Sequence, residues 1–142
     1  MRLDTEGEPP CGPVAAPDSL VLGPRPARKG WGGRLEGLLG LVAGKPVEIR
    51  WHKRDRYGRL VGQVWVVSPD VRCQGAGCPK TLDAGLAQVT VGLAWHYKQY
   101  AGEQSAEDRE RYSFAEVEAR ARRAGLWREW EPVAPWEWRR GQ

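Results

Sequence analysis

Between Lys45 and Arg59 the chain carries six basic residues, Lys45, Arg50, Lys53, Arg54, Arg56 and Arg59, against two acids, Glu48 and Asp55. That local excess equals the formal net charge of the whole 142-residue chain, +4, so the remainder balances and the cations are concentrated in one place. Inside this stretch the run Asp55-Arg56-Tyr57-Gly58-Arg59 sets two guanidiniums beside a phenol and a glycine. A guanidinium suits a phosphate because its planar fork donates two hydrogen bonds to one anion and stays charged at any usable pH. Phosphoryl transfer needs such fixed donors for the charge that builds on the phosphoryl oxygens, together with a cation and a group that delivers the nucleophile. The same composition also suits a solvated turn.

Other chemistry-bearing residues are sparse. Tyr97 and Tyr100 follow Trp95 closely; they read as rim or core aromatics, with stacking on a nucleobase as the functional alternative. Cys11, Cys73 and Cys78 make no even disulfide framework; with only His52 and His96 elsewhere, Cys73 and Cys78 suit a local disulfide, free thiols or a zinc knuckle. Neither histidine stands at a ligand or base spacing, so both read as surface or core residues. Trp51, Trp65 and Trp95 read as packing residues.

The elements that must hold the basic run follow from pattern. Residues 1–30 contain six prolines and four glycines and show no period, so 1–33 read as a disordered or degenerate leader. Leu35, Leu38, Leu39 and Val42 fall on one stripe of a short helix stopped by Gly44 and Pro46. Val47, Ile49 and Trp51 alternate with Glu48, Arg50 and His52 as a half-buried strand, and Leu60 to Val67 is a second strand. The pair predicts a hairpin with a basic tip, in which Gly58 takes the positive φ. Ser68 to Lys80 is a loop. Leu82, Leu86, Val89 and Leu93 predict a second helix ending near Trp95. Ser105 caps a third, whose inward stripe is Tyr112, Ala115 and Ala119 and which stops at Gly125; its charged positions read as a solvated face. The tail Pro135-Trp136-Glu137-Trp138 is apolar enough to lie back on the core. No stretch is long and apolar enough to span a membrane, and no export signal opens the chain, so the compartment is cytoplasmic as written and exported if the start is truncated.

Five ordered segments carry a family likeness: Leu41-Val42-Ala43-Gly44-Lys45-Pro46-Val47, Asp55-Arg56-Tyr57-Gly58-Arg59, Gly92-Leu93-Ala94-Trp95, Tyr112 with Ala115-Glu116 and Ala119-Arg120, and Gly125-Leu126-Trp127 with Pro135-Trp136-Glu137-Trp138-Arg139. Together they resemble the staphylococcal-nuclease-like (thermonuclease) family. The resemblance implies an α+β fold, an OB-like β-barrel of five strands decorated by three helices, over residues 34–140, and Ca2+-dependent cleavage of DNA or RNA. It implies that Arg59 contacts the scissile phosphate, that Arg56 and Tyr57 hold a neighbouring one, and that Tyr97 and Tyr100 border a nucleotide pocket.

The likeness weakens toward the amino terminus. About thirty residues precede the first helix, too few for three barrel strands and their turns, so the barrel is expected to be incomplete there. The nearest match to the family's catalytic element is Arg2-Leu3 with Asp4-Thr5-Glu6, which would make Arg2 a second phosphate arginine, Asp4 a calcium ligand and Glu6 the base. Three readings follow: a calcium nuclease, a catalytically silent OB-like module that binds single-stranded DNA or RNA, or a truncated fragment. No protein partner is expected.

Overall fold

The computed structural model describes residues 20–21 and 32–142. In chain order the elements are β1 (Leu20–Val21), α1 (Gly32–Val42), β2 (Glu48–Arg54), β3 (Leu60–Val66), β4 (Leu82–Asp83), α2 (Ala84–Thr90), β5 (Trp95–His96), α3 (Ala106–Ala121) and α4 (Pro135–Arg140), with 3-10 turns at Lys98–Glu103 and Gly125–Arg128. β2 and β3 form the antiparallel hairpin that the alternation predicts, and β3 carries β4 on its other side. Arg50 faces Gln63 and Trp51 faces Gly62; the register then slips at His52, so that Lys53 faces Val61 and Arg54 faces Leu60. Among the described residues β1 pairs only with β5. The fold is therefore mixed α+β. The five-stranded barrel implied by the resemblance is not closed among the described residues, which hold a three-stranded sheet and a separate two-stranded pair.

That open sheet overturns one packing expectation. Among the described residues β2 has a single neighbour, and Trp51 is 55% exposed rather than packed. Ile49 is half-buried and the rest of β2 lies in solvent, so the strand is not half-buried along its length. Trp65 is half-buried beneath the Arg50 guanidinium, 3.9 Å from its ring centroid, and Trp95 is buried as expected. On α1, Leu39 points out while Leu38, Leu41 and Val42 are half-buried.

The core is built where α2, α3 and the sheet end meet. Tyr112, Ala115 and Ala119 are buried on α3 as their spacing predicts, and Tyr112 and Ala115 join Val89 and Ala94. Ala119 packs with Trp95, Leu126, Trp127 and Ala134, and Trp136 of α4 closes this second cluster, so the tail does fold back. Two glycines permit the closeness. Gly92 and Gly125 sit at φ +74 and +55, and a Cβ on either would come within 2.4 Å of carbonyl oxygen of the other segment, Ala124 or Gly92. Leu126 N–H donates to Gly92 O across this contact at 2.8 Å. Gly92 also ends α2 at Thr90, short of the expected Trp95: Leu93 N–H donates to Gln88 O and Gly92 N–H to Val89 O, the double bond pattern of a left-handed helix stop. α3 stops in the same pattern two residues before Gly125, with Arg123 at φ +52.

Asp83 joins these parts. It pairs with Trp65 in the sheet, its Oδ1 accepts from Gly85 N–H (2.9 Å) and Leu86 N–H (3.3 Å) as the α2 cap, and its Oδ2 accepts from Tyr112 Oη–H at 2.8 Å. Burial pushes the Asp83 carboxyl above its ordinary value, against the pull of these three donors. Burial likewise raises the Tyr112 phenol, with the Asp83 charge beside it. Asp83→Ala removes a cap worth about 1 kcal/mol and strands a buried hydroxyl worth about 1–3 kcal/mol, so urea unfolding should show a loss of roughly 2–4 kcal/mol. Tyr112→Phe, which leaves the cap intact, should lose less; equal losses in the two variants would contradict this partition.

Candidate nucleic-acid interface

The hairpin tip is organised by one carboxylate. Asp55 N–H donates to Arg59 O and Gly58 N–H to Asp55 O, each at 2.9 Å, and Gly58 supplies φ +78. Asp55 Oδ1 accepts from the N–H groups of Tyr57 and Arg59, both at 2.9 Å, and its Oδ2 accepts from Arg59 Nε at 2.5 Å. Arg54 closes the loop from outside by donating to Gly58 O at 2.9 Å. Desolvation works to raise the Asp55 carboxyl, but the Arg59 backbone N–H and guanidinium, with the Tyr57 N–H, hold it below its ordinary value.

Arg59 is thereby aimed. Its Nε is engaged, and its terminal nitrogens make no hydrogen bond among the described residues. The guanidinium carbons of Arg56 and Arg59 lie 4.8 and 5.2 Å from the Tyr57 ring centroid, and that ring is 67% exposed. Three of the predicted site residues, Arg56, Tyr57 and Arg59, thus share one exposed tip.

Tyr97 and Tyr100 stand elsewhere, around the 3-10 turn that begins at Lys98. The Tyr97 ring lies flat on Trp136, centroids 4.6 Å apart at 13°, so one of its faces is covered. Tyr100 meets Tyr97 edge-on at 5.2 Å and forms one wall of a cleft of about 270 Å³ with Arg50, His52 and Gln63 of the sheet and Asp108 of α3. The ion pair of Lys53 Nζ with Glu103 at 2.6 Å fastens this turn to β2. Arg50 and His52 were not singled out from sequence as cleft residues. Their signal was the alternation that sets them on the face opposite Ile49 and Trp51.

Sequence reasoning also missed a buried polar cluster. Glu116 is 3% exposed although it belongs to the charged helix read as solvated. Its Oε1 accepts from His96 N–H at 3.0 Å, and its Oε2 meets Lys98 Nζ at 3.1 Å and an Arg120 Nη at 3.6 Å. His96 is a core residue: Nε2 donates to Gln104 Oε1 at 2.8 Å, in the tautomer that leaves Nδ1 to accept from Lys98 Nζ at 2.6 Å and Ser113 Oγ at 3.3 Å. Burial, and secondarily the Lys98 charge, depress its pKa, so the ring is neutral and serves to strap β5 to α3.

Arg2, Asp4 and Glu6 lie outside the described residues. Among the described residues no group of three or more His, Cys, Asp or Glu side chains gathers as a metal site. Asp55 is held by Arg59, Glu103 by Lys53, and Asp108 accepts from Gln63 Nε2 at 3.2 Å. These carboxylates do not fit a calcium ion, which takes six to eight oxygens. Cys73 and Cys78 are joined by a disulfide, which removes them as zinc ligands.

The tip thus presents two guanidiniums and an exposed phenol on an α+β scaffold. Residues 35–129 match the family model described as staphylococcal nuclease homologue, and the chain belongs to that family. It is 35% identical over 99 residues to an uncharacterized endonuclease of Escherichia coli, covering 70% of this chain and 53% of that protein. It is also 35% identical over 105 residues to the staphylococcal-like nuclease CAN1 of Arabidopsis thaliana, covering 74% and 27% of the two, and equally to protein ParB of Escherichia coli, covering 74% and 55%. The chain thus spans about half the length of the bacterial relatives and about a quarter of the plant one.

Because donors stabilise the charged form of Asp55, the ordered tip should persist as pH falls through the ordinary aspartate range and loosen only when Asp55 protonates below it. Amide exchange at Tyr57 and Arg59 should report this, and Asp55→Asn should remove the pH dependence. Loosening at or above the ordinary aspartate value would contradict the assignment.

Proposed function

We propose that this chain is a phosphodiesterase acting on DNA or RNA, preferably single-stranded, through residues 34–140. The observation that carries this reading is the Asp55 clamp, which leaves the terminal nitrogens of Arg59 facing solvent beside Arg56 and Tyr57. Two parallel N–H donors in a fixed plane match two phosphoryl oxygens, and they gain strength as charge builds on those oxygens in the transition state. Arg56 and the Tyr57 hydroxyl then hold the adjacent phosphate, and Tyr100, with Tyr97 behind it, borders the base.

The family is typically Ca2+-dependent, and a cation would neutralise the phosphate. Its candidate ligand here is Asp4, with Glu6 as base and Arg2 as second arginine. On this reading Arg56, Tyr57 and Arg59 would form the phosphate-holding half of such a site, and their proposed roles stop at binding and charge stabilisation.

The exposed basic tip also suits a second reading: a silent module that binds single strands through Arg56, Tyr57 and Arg59. Incubation with single-stranded DNA, with calcium and with chelator, separates the two. Calcium-dependent cleavage that falls about 100- to 1,000-fold in Arg59→Ala is the expected result. Arg59→Lys should restore little, since a point charge lacks the fork. Salt-sensitive binding without cleavage in the intact chain would assign the silent module instead.

A further inference from the structure

His96 is 1% exposed, and its ring touches both ends of the 3-10 turn Lys98–Glu103. Nδ1 meets Lys98 Nζ at the start of the turn, and Nε2 meets the side chain of Gln104, the residue that ends it. Tyr100 lies between these two anchors, and Tyr97 stands directly before the turn. Tyr100, Glu103 and Gln104 form the turn's side of the cleft of about 270 Å³ whose other side is Arg50, His52 and Gln63. One buried imidazole therefore holds both ends of that cleft wall.

The contact with Lys98 exists in one protonation state only. An ammonium has three donors and no lone pair, so at 2.6 Å Nδ1 must be the acceptor and carry no proton. Ser113 Oγ, 3.3 Å from the same atom, can rotate its hydroxyl to suit either state. The charged groups facing His96 are Lys98 of the turn and Glu116 of α3, whose carboxylate takes the His96 N–H at 3.0 Å. Lys98 and Arg120 both meet that carboxylate, at 3.1 and 3.6 Å. The Tyr112 ring, 5.6 Å away, has its hydroxyl bound to Asp83, and β1, paired through Leu20, brings no titratable side chain. One anion is thus already shared by two cations, and a proton on His96 adds a third positive charge out of solvent.

We propose that His96 is a proton-operated latch and a positioning residue for Tyr97 and Tyr100: neutral, it pins the 3-10 turn at both ends; protonated, it expels the Lys98 ammonium and frees the start of the turn. Its bearing on strand binding rests on the nucleic-acid reading above, in which these tyrosines border the base. Burial, with the Lys98 charge, keeps the ring below the ordinary histidine value. The neutral ring's contribution to stability is therefore complete above that value and falls as pH drops through it, because the unfolded chain then takes a proton that the folded chain resists. At lower pH the folded ring is charged as well, and the latch opens.

The full chain without nucleic acid, followed by NMR from about pH 8 to about pH 4.5, tests this directly. The His96 ring signal and the amides of Lys98, Gln99 and Tyr100 should move with one midpoint, and His96→Gln, which does not titrate, should leave those amides still. Should that buried substitution fail to fold, Lys98→Met decides, since the Lys98 side chain is 55% exposed. It removes the neighbouring charge, so the His96 midpoint should rise, and at about pH 8 the turn amides should already lie toward their wild-type acid positions. Amides that ignore the His96 midpoint, or a midpoint unmoved by Lys98→Met, would overturn the latch. The second readout is anisotropy with an oligothymidylate of about 4 nucleotides, at about pH 8 and below the NMR midpoint, without calcium. Wild-type affinity should fall about fivefold or more relative to His96→Gln, in which His52 still titrates. Equal pH dependence in the two proteins would overturn the positioning role. A latch that opens by NMR in a chain that binds no strand at either pH upholds the latch and sinks the nucleic-acid reading alone.

Discussion

The buried carboxylate of Asp83 holds the rest in register. It stands where the sheet ends, caps the helix that follows, and takes the hydroxyl of Tyr112 from the third helix, so three elements meet on two oxygen atoms. A lone buried carboxylate is expensive, and it is tolerated here because each oxygen has its donors. The position of β3, and through it of the hairpin that carries Arg59, follows from that junction.

From the same junction the chain builds outward in two directions. Toward the amino-terminal side it extends a basic hairpin whose tip is ordered by Asp55 and whose outer face, with Trp51, is open among the described residues. Toward the carboxy-terminal side it lays Trp95, Trp127 and Trp136 against α3, locked by the Gly92–Gly125 contact. The hairpin tip lies at an exposed end of this frame, and between the ends lies the core of Val89, Ala94, Trp95, Tyr112, Ala115 and Ala119.

Much of this was legible in the residues. α3 announced itself through Ser105, its early acids and the Tyr112, Ala115 and Ala119 stripe; the hairpin did so through alternation and Gly58. These signals are local, and local hydrogen bonding decides them. What could not be read depends on long-range contacts. Leu93 continues a helical stripe, yet Gly92 ends the helix because its backbone must touch Gly125. Glu116 looks like any solvated helix position until His96, distant in sequence, donates to it. Trp51 fits a buried strand pattern, but burial needs a covering layer that the described residues do not contain. The hairpin tip was legible for the opposite reason, since Asp55, Arg56, Tyr57 and Arg59 are neighbours in sequence as well as in space.

The central claim, that the hairpin tip grips phosphate, is tested most directly by following the arginine Nε–H and backbone amide signals of the full chain by NMR during titration with a thymidine dinucleotide. Saturable shifts should appear at Arg59 Nε–H and at the amides of Tyr57, Gly58 and Arg59, shrinking as salt is raised. Shifts confined to other surfaces, with the tip unmoved at saturation, would contradict it.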